Sequence, residues 1–245
     1  RVVEPVPGEV RVEVVSGETE ARLTLRGVRS ALDELAGSML TFDIGGGSSE
    51  FCAVAPGGLP RAAGLQLGSG RLTARFATSD PADASALAAM RAAADATVIG
   101  SLDVRPVDLV AVGGTASNLL KIAVDGVEGP VLTRSGVDRA IATLLSMPSA
   151  AVSERYFINP KRGPLLLAGA VIVDALMRRY GVDAVRVSEA GIREGAATRG
   201  EHPRTPAPPG GADRRAGDLS GRAGGDRTGA GGRPASAVTR TLRHG

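Results

Sequence analysis

Hydrophobic and polar positions along the chain change period repeatedly, and each change marks a predicted element. Val10, Val12 and Val14 alternate with charged residues, the period of two of a half-buried strand. From 17 to 36 the period lengthens. Ala21, Leu25, Val28, Leu32 and Leu35 recur at spacings of three and four, which predicts a helix stopped by Gly37. A short apolar run, MLTFDI, reads as a strand, followed by GGGSS, a second strand EFCAVA and the turn PGG. An extended run over 59–67 comes next. Ser79 or Asp80 is placed to cap an alanine-rich helix whose first helical position is Pro81 and which runs to about Ile99.

DLVAV reads as another apolar strand, ended by Gly113 and Gly114, with ASNLLKI as the helix after it. Helices are predicted over 135–145 and 150–155. The most apolar helix is predicted over 164–180, closed by Gly181. A last strand, 184–188, leads into a turn and a short helix in EAGIREGAA. Strands alternating with helices, with one hairpin inserted, predict an α/β fold with a mixed sheet.

Composition changes this picture at one place. Residues 201–245 hold ten Gly and five Pro and almost no large apolar side chains, so they cannot bury enough surface to offset their ordering entropy and read as a disordered tail. The net charge of +3 is a property of that tail, which carries eight Arg against four acids, while residues 1–200 carry 21 basic and 22 acidic groups. The body therefore has no nucleic-acid signature, and the tail lacks the interleaved aromatics of an RNA-binding segment. No apolar stretch approaches membrane-spanning length and the first residues do not read as a signal peptide, which together favour the cytoplasm.

The chemistry is bounded by what is scarce. Cys52 is the single cysteine, which excludes an internal disulfide and a multi-cysteine metal site, and it reads as a small buried apolar residue. Both histidines, His202 and His244, fall in the tail. The body then has no imidazole for a Ser-His-Asp triad or a histidine zinc site, and acid–base work must rest on carboxylates.

Three segments carry candidate chemistry. In Asp43-Ile-Gly-Gly-Gly-Ser-Ser-Glu50, three glycines after an apolar strand allow a sharp turn and close approach to a ligand, with N–H groups free to form a nest for phosphate oxygens and Ser48 adding a hydroxyl. It is neither a Walker A loop, since no Gly-Lys-Ser/Thr follows, nor a dinucleotide fingerprint, since Glu50 stands where the third glycine would be. In Val112-Gly-Gly-Thr-Ala116, the second glycine pair precedes a helix whose dipole favours an anion, and Thr115 reads as both N-cap and ligand. In Ser16-Gly-Glu-Thr-Glu-Ala-Arg22, Glu18 and Glu20 stand in a first helical turn, either as favourable charges there or, for one of them, as a general base for water.

VVSGETEARL, FDIGGGSSE and AVGGTASNL, in that order and spacing, resemble the hallmark segments of the exopolyphosphatase and guanosine pentaphosphate phosphohydrolase family. LLAGAVIVDALMRRYGVDAVRVSEAGIREG resembles its closing segment, so the likeness covers residues 8–197. The resemblance implies an actin-like, ribonuclease H-like lobe with a mixed sheet and Mg²⁺-dependent hydrolysis of terminal phosphates of inorganic polyphosphate or guanosine pentaphosphate. By resemblance, Glu20 is the base for the attacking water, and Asp43 and Glu50 hold the metal. Gly45, Gly46, Gly47 and Ser48 form one phosphate loop, and Gly113, Gly114 and Thr115 another. Arg22 and Arg193 match frequent family arginines, although ion pairs within the domain explain them as well. A homodimer is an admissible assembly. Members of the family begin with a further lobe carrying an Asp-x-Gly-Ser-Asn-Ser-type loop, and no such loop stands before Val10. The expected division is thus residues 1–38 as the end of a first lobe with its connecting helix, 39–199 as the second lobe, and 200–245 as the tail. A non-catalytic phosphate- or nucleotide-binding module of the same fold is the alternative reading.

Overall fold

The computed structural model describes residues 15–31, 37–123 and 129–197. Within them, six strands form one sheet: β1 (Met39–Ile44), β2 (Ser49–Val54), β3 (Arg61–Leu65), β4 (Asp108–Val112), β5 (Val131–Thr133) and β6 (Ala184–Ser188), in the order β3-β2-β1-β4-β6-β5. β1, β4 and β6 run parallel at the centre, with the antiparallel hairpin β1–β2–β3 on one side and antiparallel β5 on the far edge. This is the mixed α/β architecture that the alternating pattern predicts. The central strand β4 is apolar at every position from Leu109 to Val112 because both of its faces are covered.

Side-chain alternation divides the sheet into two cores. Leu40, Phe42, Ile44, Phe51, Leu109 and Ala111 pack towards helices α3 (Ala84–Val98), α4 (Gly113–Ala123), α5 (Arg134–Ser146) and α7 (Leu166–Tyr180). Met39, Cys52, Val54, Val110 and Val112 face the other way and meet Ala21, Leu25 and Val28 of α1 (Gly17–Ala31). α8 (Ile192–Ala197) packs on α1 at very short range, since a Cβ on Gly195 would collide with the Leu23 carbonyl oxygen. α7 is buried along most of its length and stops at Gly181, whose φ of 65° is left-handed. Cys52 is fully buried, and burial pushes its thiol up to about 11, as an inert core residue requires. None of the described helices is long and apolar enough to cross a membrane.

Several expectations need correction. The extended run is shorter than 59–67, and β3 is followed by α2 (Ser69–Phe76), a helix the pattern does not show. The cap of α3 is Asp83, which accepts from Ala86 N at 2.8 Å. Asp80 instead caps α6 (Ser149–Arg155), accepting from Ser149 N at 2.8 Å and from its Oγ at 2.6 Å. β5 was not predicted either. The strand expected over Val10–Val14, the end of the first helix over 32–36 and the tail from 200 lie outside the described residues.

Candidate functional site

The carboxyl ends of β1 and β4 lie side by side, Asp43 opposite Val112 in the ladder, and both strands end in glycine-rich sequence. Ligands of open α/β sheets bind at such carboxyl ends. Here the two glycine segments open onto one cleft of about 260 Å³, lined by Asp43, Gly45, Gly46, Ser69, Gly114, Thr115 and Arg162 among others. Parts of both expected phosphate segments, Gly45 and Gly46 from one and Gly114 and Thr115 from the other, therefore line one cleft.

Three carboxylates from three elements converge beside that cleft. Asp43 and Glu50 are direct partners across the β1–β2 ladder, so the pleat puts both on the side of the sheet covered by α1. α1 starts there. Ser16 caps it, its Oγ accepting from Thr19 N at 3.2 Å, and a Cβ on Gly17 would stand 3.9 Å from Glu50 Cγ. Glu20, one turn in, faces the same region. Burial pushes the Asp43 carboxyl up to about 6, reinforced by Glu50 and Glu20 and opposed in part by Arg162. Burial and then Glu50 also raise Glu20. Carboxylates that lift one another in this way repel, and a cation or an added proton relieves them. Ser48 Oγ donates to Glu50 Oε1 at 2.5 Å, so this hydroxyl orients a carboxylate as well as lying in the loop. Glu18 points elsewhere and forms an exposed pair with Arg22 at 2.9 Å, which accounts for that arginine without a ligand. Arg193 lies exposed on α8.

Backbone donors stand in the loop that joins β1 and β2. In the β1–β2 hairpin, Gly45 N bonds Ser48 O at 2.9 Å, and the carbonyls of Gly45, Gly46 and Gly47 all accept from the first turn of α2. A trans peptide points its N–H opposite its C=O, which turns the amides of Gly46, Gly47 and Ser48 away from α2. Those three amides have no acceptor among the described residues. On the β4 side no loop intervenes: α4 begins at Gly113, immediately after the strand. Thr115 is therefore the third residue of the helix and not its cap, and its Oγ1 donates to Ile44 O at 2.9 Å, tying the start of α4 to the end of β1. Gly113 has φ +81°, and a Cβ there would collide with Asp43 Oδ1. A helix N-terminus has no intrahelical acceptors for its first amides, and Gly114 and Thr115 from this turn line the cleft.

Arg162 escapes sequence reasoning. It follows α6 in the turn Asn159-Pro-Lys-Arg162, remote from every motif, yet its guanidinium lies against Gly114, where a Cβ would collide with Nη1. Its signal was a basic pair in a proline-bounded turn, which local rules read as a solvated loop. Ser69 was missed because α2 was missed. A larger hollow of about 340 Å³ lies between α2, α3 and α6, but most of the polar side chains that line it already have partners. Ser149 donates to Asp80, Ser79 to Pro81 O and Thr73 to Ser69 O. The smaller cleft is the one that presents unmatched donors.

Among the described residues no group of three or more His, Cys, Asp or Glu is arranged to hold a metal by itself. Two adjacent carboxylates, Asp43 and Glu50, are the donor set left. That fits an ion such as Mg²⁺, which takes one or two carboxylates and completes its shell with water and substrate phosphate.

Comparison with known proteins places the chain in a family. A family model described as the Ppx/GppA phosphatase family matches residues 1–202. Exopolyphosphatase 1 of Mycobacterium tuberculosis and that of Mycobacterium bovis are each 32% identical over 201 residues, covering 78% of this chain and 58% of the relative. The chain thus spans somewhat over half the length of these relatives. A solved Ppx/GppA enzyme of Aquifex aeolicus superposes with TM-score 0.68 at 25% identity, over 75% of this chain and 63% of that one. An exopolyphosphatase structure from Cytophaga hutchinsonii superposes with TM-score 0.66 at 22% identity, over 76% and 64%, which speaks to the fold alone. The sheet described above is thus the actin-like lobe of these proteins, and the chain belongs to the Ppx/GppA phosphatase family.

Proposed function

We propose that this site binds the terminal phosphate of inorganic polyphosphate or guanosine pentaphosphate and serves the hydrolysis of its phosphoanhydride bond. One observation carries the reading: Asp43, whose carboxyl Glu50 and Glu20 both raise, lines one cleft with Gly45, Gly46, Gly114, Thr115 and Arg162. Phosphoryl transfer asks mainly for positioning and charge neutralisation. Amides of Gly46, Gly47 and Ser48 on one side, and of Gly113, Gly114 and Thr115 on the other, can grip equatorial oxygens. Arg162, which lines the same cleft as Asp43, adds positive charge. Glu20 is the base for water, since its raised pKa brings its proton affinity closer to neutral working conditions. Asp43 and Glu50 would hold Mg²⁺. When bound, it neutralises charge that develops on the transferring phosphate.

The test is phosphate release from polyphosphate and from guanosine pentaphosphate, with and without Mg²⁺. It is run on this chain and on a chimaera joining it to the part of the Mycobacterium tuberculosis relative that it does not span. The chain spans 58% of that relative, and fixed dipoles act most strongly where water is excluded, so we expect slow or no release by the chain and Mg²⁺-dependent release by the chimaera. Glu20→Gln in the chimaera should lower turnover by about 10²- to 10⁴-fold with the melting temperature nearly unchanged. Unaltered turnover would remove Glu20 from the mechanism. If neither protein cleaves and inorganic phosphate still shifts the Gly46 and Gly47 amide resonances, the site binds without turnover.

A further inference from the structure

We propose that Arg71 is a positioning residue for the glycine loop, fixing the direction of the Ser48 amide through the Gly47 carbonyl. This rests on the reading of that loop as a phosphate cradle.

A run of three glycines has wide conformational freedom, and a row of amides stabilises an anion best when its direction is set beforehand. The loop has no side chains of its own to hold it before Ser48. What holds it is the first turn of α2. Ser69 N donates to Gly45 O at 2.9 Å and Ser69 Oγ to the same oxygen at 3.2 Å. Arg71 N donates to Gly46 O at 2.8 Å. Arg71 Nε donates to Gly47 O at 3.0 Å. The approach is backbone on backbone: a Cβ at Gly68 would stand 2.5 Å from Gly46 O, and one at Gly70 would stand 3.0 Å from it.

These bonds are not equivalent. Each carbonyl shares a rigid plane with the next residue's N–H. The planes that carry the Gly46 and Gly47 amides are held by backbone donors, which no side-chain change removes. The plane that carries the Ser48 amide is held only by the Arg71 guanidinium. That guanidinium is itself oriented, because Nη2 donates to Gln66 Oε1 at 2.9 Å. Two donors in a fixed plane, bridging Gly47 O and Gln66, are a geometry that lysine cannot copy.

The test uses the whole chain without substrate. Amide ¹⁵N relaxation should show Gly46, Gly47 and Ser48 all rigid in the parent, with order parameters near about 0.85. In Arg71→Gln, and to a lesser extent in Arg71→Lys, Ser48 alone should loosen towards about 0.6 while Gly46 and Gly47 keep their values. Gln66→Leu leaves every charge in place and should loosen Ser48 in the same direction. Titration with inorganic phosphate, followed on the same resonances, should then weaken about tenfold in Arg71→Gln and several-fold in Gln66→Leu, as befits one charge-assisted hydrogen bond. A Ser48 amide that stays rigid in Arg71→Gln overturns the proposal. So does a Gln66→Leu protein that binds phosphate as the parent does while Arg71→Gln does not, which would make Arg71 a direct contact. If phosphate binds to none of the proteins, the cradle reading fails, and the relaxation data still decide whether Arg71 fixes the loop.

Discussion

Gly45–Gly47 and Gly113–Gly114 follow neighbouring parallel strands and face one cleft, but glycine is needed in each for a different reason. Gly46 and Gly47 have open space where a Cβ would be, and the tight approach falls on the partner glycines Gly68, just before α2, and Gly70 within it. Gly113 has no such space: its φ is +81° and the Asp43 carboxylate occupies the position of its Cβ. Gly114 is likewise covered by Arg162. The first segment needs glycine so that carbonyls can turn towards a helix. The second needs it so that two charged side chains can lie on a helix start. Similar sequences thus deliver amides by different means, clamped from the side in one case and presented by a helix terminus in the other.

The sharpest way to break this contrast is to add one methyl group to each segment. Gly113→Ala meets both a left-handed backbone, which costs about 1–3 kcal/mol for a residue with a Cβ, and the Asp43 carboxylate. Displacing that carboxylate should lower phosphate release in an active form of the protein by roughly 10²-fold, as small misplacements at a reacting centre do. Gly46→Ala should stay within about threefold, since nothing stands in its way. Equal losses would show that the segments are constrained alike.

A second measurement separates the Asp43 wall from the rest. Its carboxyl, near 3.8 in an unfolded chain, is raised to about 6 in the fold, first by burial and then by Glu50 and Glu20. The native state then holds this proton more tightly than the unfolded state, so stability falls as pH rises from about 4 to about 6 and stays reduced above that. A shift of about two units amounts to at most about 3 kcal/mol. Asp43→Asn should therefore raise stability at pH 7 in metal-free buffer by roughly 1–3 kcal/mol, with the gain fading below about pH 4, while activity is lost. Urea unfolding across this range checks it, and a gain independent of pH would contradict the assigned cause.

The smallest effect concerns Thr115. Its hydroxyl is engaged with Ile44 O, so Thr115→Val should cost about 1–2 kcal/mol by leaving that carbonyl without its donor, and should change phosphate affinity little. A hundredfold loss of affinity at unchanged stability would make the hydroxyl a ligand instead.

The apolar runs MLTFDI, EFCAVA and DLVAV place β1, β2 and β4 because buried strands must be continuous in hydrophobicity, and the Gly181 stop places the end of α7. Glu20, Asp43, Glu50 and the two glycine segments were singled out by their motifs and by the family resemblance these carry, and the structure brings them to one end of the sheet. α2 was not legible. Its first residues, Ser69-Gly-Arg71, read as loop, and Leu72 is its only fully buried large apolar side chain, so no period announces a helix. The bonds that define its start run to Gly45 and Gly46, more than twenty residues away. β5 is three residues long and exists by pairing with β6, fifty residues on.

By itself, then, the sequence determined the alternation of strands and helices, the absence of imidazole chemistry from the body, and the two places where backbone amides could be exposed. Those follow from local periods and residue types, which need no partner to be read. Only the tertiary structure decided that α2 takes up the carbonyls of the glycine loop, that Glu20 comes near enough to Asp43 and Glu50 to feel their charge, and that Arg162 lines the same cleft. Each of these depends on a contact between segments distant in the chain, and such contacts are set by how the helices pack against the sheet.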